Sequence, residues 1–241
     1  MTETIFNDFT SFFYRLNLTT RKVDFGIFVL DINEISESAI EQFSMYRNEF
    51  YEINITKEQR EFRFKIDGAT YEPNGTPYVC FVAPNQLQSF EVIGEDKEAQ
   101  GFLIYIRKSI FKQIEHVNKN IRFFSREYES YYELSNTDYH ELIPWVLLMK
   151  KEIMESHSQT PEVLKNLLTI LLLKCKALTI EAKSILYNRP QIILHTLLEM
   201  IENSESLKTV AHYASELALT PKQLNRITKT ILGKTTQTII R

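Results

Sequence analysis

Lysine, arginine and asparagine are the side chains best suited to gripping and reading a polyanion, and near the end of the chain four of them share one helical spacing. Lys222, Asn225, Arg226 and Lys229 stand at i, i+3, i+4 and i+7, so a helix over this stretch carries all four on one face. Arginine and asparagine match the paired hydrogen-bonding atoms of guanine and adenine in a major groove. Lys229, Lys234 and the Thr235 hydroxyl are better suited to phosphate oxygens.

Such a face reads bases only if a second helix braces it. A helix-turn-helix needs a small residue where its helices cross, a permissive residue in the turn, and apolar residues at fixed offsets. In VAHYASELALTPKQLNRITKTILGKT, Ala214 is the expected crossing residue and Ala218 the turn residue, with Tyr213, Leu217, Leu219, Leu224 and Ile227 as the interlocking set. Thr220 is the expected cap of the second helix, with Pro221 just inside it. The alternative for the same pattern is an amphipathic hairpin with an ordinary solvated basic face. Charge favours the first reading: residues 189–241 carry a net +3, whereas the rest of the chain carries −6.

The elements upstream differ in kind. GIFVLDI, YEINIT, EFRFKID, TPYVCFVAP, QSFEVI and GFLIYI are short, rich in β-branched and aromatic residues, and separated by turn signals at Asp67-Gly68, Pro73-Asn74-Gly75 and Pro84-Asn85. A short helix is expected over Lys108 to His116, and IRFFSREYESYYEL reads mainly as loop. Helical periodicity begins near Thr137, with Leu142, Ile143, Val146, Leu147, Met149, Ile153 and Met154 as an apolar stripe and Asn136-Thr137-Asp138 as the capping region. A second helix is expected from Thr160 to about Leu186, so densely apolar that it needs more than one partner face, either its own β domain alone or also a dimer seam. Arg189-Pro190 starts a third helix and marks a domain boundary.

Composition excludes several function classes. No apolar run reaches the length of a membrane span and the N-terminus lacks a cleavable signal pattern, so a cytoplasmic location is expected. Cys80 and Cys175 have no CxxC partner and read as buried thiols. The five histidines, at 116, 140, 157, 195 and 212, fall outside the strands without ligand spacing, so neither a metal, a cofactor nor a catalytic residue is expected.

At its C-terminal stretch, LKTVAHYASELALTPKQLNRITKTILGKTTQTIIR, the sequence resembles the first helix-turn-helix of the AraC/XylS regulators, including an ending with Lys229, Gly233, Lys234 and Thr235. Upstream, RNEFYEINIT, FKIDGATYEPNG, VCFVAPNQLQSF and QGFLIYIRKSIF are similar, in order, to that family's cupin-like sensing domain. The resemblance runs from about Glu49 to Arg241. Asn48 and Gln88 stand where metal-binding cupins often have histidine, and the family's second helix-turn-helix is missing.

The resemblance implies an α+β chain: a cupin-like β-barrel of the double-stranded β-helix or jelly-roll type over 1–135, a helical dimerisation region over 136–188, and a helix-turn-helix subdomain over 189–241. It implies a bacterial, sequence-specific DNA-binding transcription regulator, homodimeric through the 137–187 helices and responsive to an unidentified small molecule in the barrel. DNA contacts are expected from Thr220, Lys222, Asn225, Arg226, Lys229, Lys234 and Thr235. Ligand contacts are expected from Arg47, Glu52, Phe62, Phe64, Ile66, Tyr78 and Phe102, although these aromatic and apolar residues could equally be plain core and the two charged ones a surface salt bridge. Two other readings stay open: a dimerisation or partner-binding module without DNA binding of its own, and a cupin-type enzyme.

Overall fold

The structure, a computed structural model, describes residues 4–18, 25–35, 45–58, 62–92, 99–118, 121, 123–124, 130–179, 189–202, 204, 206 and 208–240. The chain divides into two compact units, residues 1–124 with 130–183, and 125–129 with 184–241.

The first unit is built on two five-stranded sheets. The strands are β1 (Thr4–Phe6), β2 (Ile27–Asp31), β3 (Tyr46–Asn48), β4 (Tyr51–Glu58), β5 (Phe62–Ile66), β6 (Ala69–Tyr71), β7 (Tyr78–Val82), β8 (Gln88–Val92), β9 (Ala99–Ile106) and β10 (Tyr131–Glu133). One sheet runs β1-β3-β8-β5-β6 and the other β10-β7-β4-β9-β2, and every pair is antiparallel except β1 with β3. Among the described residues no ladder joins the two sheets, so the expected closed barrel is not formed and the observed class is α+β with two open sheets. Asp67-Gly68 turns β5 into β6 with both residues at positive φ (47° and 86°), as a two-residue hairpin of matching twist demands. Gly101 is required for a different reason: at φ 142°, a Cβ there would lie 2.3 Å from the Ile55 carbonyl oxygen.

The second sheet is covered on both faces. Ile53 and Ile55 of β4, Val79 and Phe81 of β7 and Phe102, Ile104 and Ile106 of β9 point to one side, where they share a core with helices α2 (Lys108–Val117), α3 (Asn136–Glu155) and α4 (Thr160–Thr179). The alternate residues point toward the other sheet. This explains why YVCFV of β7 is buried at all five positions, a continuous run rather than an alternation. A further helix, α1 (Phe9–Arg15), packs Phe9 and Phe12 beside Phe28, Tyr46, Phe50 and Tyr105; neither it nor β1 nor β10 was expected from the sequence.

The cap of α3 is Ser135, one residue before the expected region. Its hydroxyl accepts from the Asp138 N–H while the Asp138 carboxylate accepts from the Ser135 N–H, a reciprocal box that satisfies two helix-end donors. Leu142, Val146 and Met149 of the expected stripe are buried, but Leu147 and Met154 are exposed. On α4, Leu164, Leu168, Leu171, Leu172 and Cys175 are buried while Ile170 and Leu173 are exposed. The expected continuation of α4 to Leu186 falls outside the described residues.

The second unit contains α5 (Arg189–Glu202), α6 (Val210–Glu216), α7 (Pro221–Leu232) and α8 (Thr236–Ile240). Its core gathers Leu197 of α5, Tyr213 and Ala214 of α6, Leu224 of α7 and Ile240 of α8, with Leu194, Ile227 and Leu232 beside them.

Candidate functional sites

The basic face of the second unit is positioned by caps and one close crossing. Ala214 is fully buried, so the methyl side chain is what the packing tolerates there. Ala218 sits in the turn at φ 52°, a left-handed conformation that a β-branched residue would adopt only under strain. Thr220 caps α7: its hydroxyl accepts from the Gln223 N–H and the Gln223 side chain accepts from the Thr220 N–H. Gly233 closes the helix at φ 68°.

On this scaffold Lys222, Arg226 and Lys229 are exposed along one side of α7, opposite buried Leu224, Ile227 and Thr228. Asn225 belongs elsewhere. It is half-buried, and its Oδ1 accepts from the backbone N–H of Thr236 at 2.9 Å, tying α7 to the start of α8. The Thr228 and Thr236 hydroxyls meet at 3.1 Å in the same junction. Thr235 caps α8 through the Thr238 N–H, and Lys234 is half-buried. Thr220, Asn225 and Thr235 therefore spend side-chain acceptors on helix ends, and the outward-facing cations are Lys222, Arg226 and Lys229. An Asn225→Ala variant is expected to lose about 1 kcal/mol of stability in this unit while leaving the exposed basic face unchanged, to be checked by urea unfolding.

The residues expected to line a ligand site separate into three groups. Phe62, Phe64, Ile66 and Tyr78 do cluster between the sheets, with Cys80, Val82, Phe90 and Tyr131. Phe64 stacks on Tyr78 at 5.7 Å between ring centroids and on Phe90 at 6.1 Å. Phe102 is a correction: it lies on the opposite face of its sheet, in the core shared with the helices, and Lys150 Nζ stands 5.6 Å from its ring centroid. Arg47 is also placed apart. It is 7% exposed, its Nη1 donates to the Asn85 carbonyl oxygen, and it lies 4.0 Å from Asp67. Asp67 in turn accepts from the Gln86 side chain and the Leu87 N–H, so this ion pair locks turns rather than a ligand.

Glu52 is at the centre of the inter-sheet space and 1% exposed. Its Oε2 accepts from Asn48 Nδ2 at 2.9 Å and Gln88 Nε2 at 3.4 Å, both from the facing sheet, and the Asn54 amide on the same strand also favours the ionised form. Burial nonetheless outweighs these donors and pushes the carboxyl up to about 7. Burial likewise holds the Tyr46 and Tyr105 phenols and the Cys80 thiol well above their ordinary values. Glu52, Asn54 and Thr56 are three successive inward positions of β4, each no more than 6% exposed. Among the described residues, Asn48 Oδ1, Asn54 Oδ1, Thr56 Oγ1 and the Tyr131 hydroxyl are buried without a hydrogen-bond partner. A lone buried hydroxyl costs about 1 kcal/mol or more, so Thr56→Val is expected to raise the stability of the first unit by about that amount in denaturant titration.

Among the described residues no group of three His, Cys, Asp or Glu could hold a metal ion. Also among them, no helix is long and apolar enough to cross a membrane.

No family model and no curated protein matches the chain. Solved structures similar to it include an apo variant of ToxT from Vibrio cholerae, with a TM-score of 0.42, 13% identity, and coverage of 89% of this chain and 77% of that one. A second is wild-type ToxT from the same strain with an unsaturated fatty acid bound, at TM-score 0.41, 14% identity, 89% of this chain and 75% of that one. A third is the AraC-like transcriptional activator CuxR, at TM-score 0.35, 12% identity, 79% of this chain and 64% of that one.

Proposed function

We propose that the chain is a one-component transcription regulator of the AraC/XylS type, in which the exposed side of α7 contacts double-stranded DNA and the two-sheet unit senses a small molecule. The observation that carries the DNA half is the agreement of every local requirement in one unit: a fully buried alanine at the helix crossing, a positive φ in the turn, a capped second helix, and three cations on its outer side. Its charge supports the same reading, since a net +3 concentrated over residues 189–241 of an acidic chain suits a localised polyanionic partner.

In this reading Lys222 and Arg226 approach bases and Lys229 the phosphates, with Lys234 at the rim, while Thr220, Asn225 and Thr235 hold the helices that present them. The sensing unit would be a variant of the cupin theme, and the regulator would act as a homodimer in the cytoplasm. The exposed Leu147, Leu148, Ile170 and Leu173 of α3 and α4 favour dimerisation through these helices, because large apolar side chains left in water on adjacent helices are what a second copy would cover. The same residues support the second reading, a dimerisation module without DNA binding of its own.

The deciding experiment is fluorescence-anisotropy binding to mixed-sequence duplex DNA across a salt series, together with sedimentation analysis. Salt-sensitive binding supports the regulator. A stable dimer with no affinity at low salt would select the dimerisation module.

A further inference from the structure

Among the described residues, the buried side-chain atoms of the first unit that lack a partner are two amide oxygens and two hydroxyls. Asn48 donates its amide nitrogen to Glu52, which fixes its oxygen as the free atom, and that oxygen has no partner. Asn54, the next inward position of β4, also leaves its oxygen without a partner among the described residues. Gln88 follows the same pattern, but its oxygen accepts from the Tyr46 hydroxyl at 3.3 Å. Asn48 and Gln88 therefore turn their donors toward one carboxylate, and among the described residues the Asn48 and Asn54 oxygens stay unmet. Thr56 adds an orphaned hydroxyl two positions further along β4. Strand register sets Asn54 opposite Cys80 and Cys80 opposite Tyr131, whose hydroxyl is orphaned too.

Native interiors rarely leave so many polar atoms unmet in one place, since each costs free energy that a valine or leucine would avoid. The chemistry of the atoms says what would meet them. An anion would confront Glu52 and two outward carbonyls. A neutral molecule could satisfy the acceptors but would leave Glu52 without a counter-charge wherever it is ionised, above about pH 7. The one cation placed on β3, Arg47, is engaged with Asn85 and Asp67.

We propose that the inward face of β4 binds an organic cation, a molecule carrying a primary ammonium or guanidinium group on an apolar body, with Glu52 taking its charge, Asn48 and Asn54 accepting its N–H groups, and Phe64 and Tyr78 lying against its body. A cation needs several acceptors and one compensating charge, and aromatic faces add attraction for it. This inference rests on the ligand-sensing half of the function proposed above and names its ligand class.

The test is thermal unfolding and calorimetric titration of the full chain with 2-phenylethylamine, putrescine and methylguanidine, against 2-phenylethanol and 3-phenylpropionate as uncharged and anionic controls. The cations are expected to raise the melting temperature of the first unit by roughly 5–10 °C at a hundredfold excess over Kd, with no effect from the controls. Glu52→Gln, which keeps the side-chain shape, is expected to weaken cation binding at least about thirtyfold. Thr56→Val, which keeps the charge, is expected to weaken it less and serves as the folded control. Stabilisation by the controls alone, equal binding by Glu52→Gln, or no shift with any probe, meaning that ordered water alone meets these atoms, would each overturn the proposal. None of these readouts involves DNA, so a failure of the regulator reading would show separately, as absent salt-dependent anisotropy.

Discussion

Replacing Arg226 and Lys229 together by alanine is expected to weaken DNA binding by roughly 30- to 1,000-fold and to reduce the slope of log affinity against log salt by about 1 to 2. The magnitude follows from their placement. Both are exposed on α7 and three residues apart, so one helix laid into a groove brings both to the nucleic acid at once. A base contact by arginine is worth about 1–3 kcal/mol, and the loss of each phosphate contact removes close to one released counterion. The packing of α7 depends on Leu224, Ile227 and Leu232, which are untouched, so the variant should unfold at the same denaturant concentration as the parent. Asn225→Ala should behave in the opposite way, with lower stability and an unchanged salt slope, because its oxygen holds the Thr236 N–H. If Asn225→Ala lost affinity while keeping full stability, the assignment of these two residues would have to be exchanged.

That contrast marks what the sequence could and could not convey. Spacing alone put Asn225 on the face with Lys222, Arg226 and Lys229, and the angle was nearly right. What spacing does not contain is the short α8 that returns to α7 and takes the asparagine as a cap. The threonine pattern around Thr235 and Thr238 was the available signal, since a Thr-x-x-Thr stretch after a glycine is a plausible helix start. Thr220, Ala214 and Ala218 were legible because their roles are local: a cap, a crossing and a turn are each decided within a few residues.

The first unit shows the same division. Its strand positions and the Asp67-Gly68 hairpin follow from alternation and turn chemistry, which are local. The alternation of YEINIT correctly puts Ile53 and Ile55 on one side and Glu52, Asn54 and Thr56 on the other. It does not say that the polar side is dry. That depends on a second sheet arriving from β3 and β8, a long-range fact, and so a residue read as equally compatible with a surface salt bridge is 1% exposed. Phe102 failed for the complementary reason: an aromatic on a strand can face either layer, and β9 has apolar residues on both.

Glu52 also yields a large, pH-dependent stability effect. The folded state raises this carboxyl from 4.5 to about 7, so between those values the folded protein holds a proton that the unfolded chain has released. The corresponding stability is complete below about pH 4.5 and disappears as pH rises through about 7, a change of about 3 kcal/mol at 1.36 kcal/mol per unit. The other titratable groups facing it, Tyr46, Tyr105 and Cys80, are held well above their ordinary values and stay neutral throughout this window. Glu52→Gln keeps the shape and removes the proton equilibrium. The variant is therefore expected to match the parent near pH 5, to be more stable by about 2–3 kcal/mol at pH 8, and to lack the parent's decline between them. Trp145, the single tryptophan, belongs to the first unit and packs against its core, so urea unfolding followed by its fluorescence isolates this unit from the helical one. Parallel pH profiles for parent and variant would mean that the carboxylate is already compensated in the folded state. An organic cation at saturating concentration should have that effect on the parent, holding Glu52 ionised and removing its loss of stability at high pH, which ties the titration to the same atoms that the orphaned oxygens mark out.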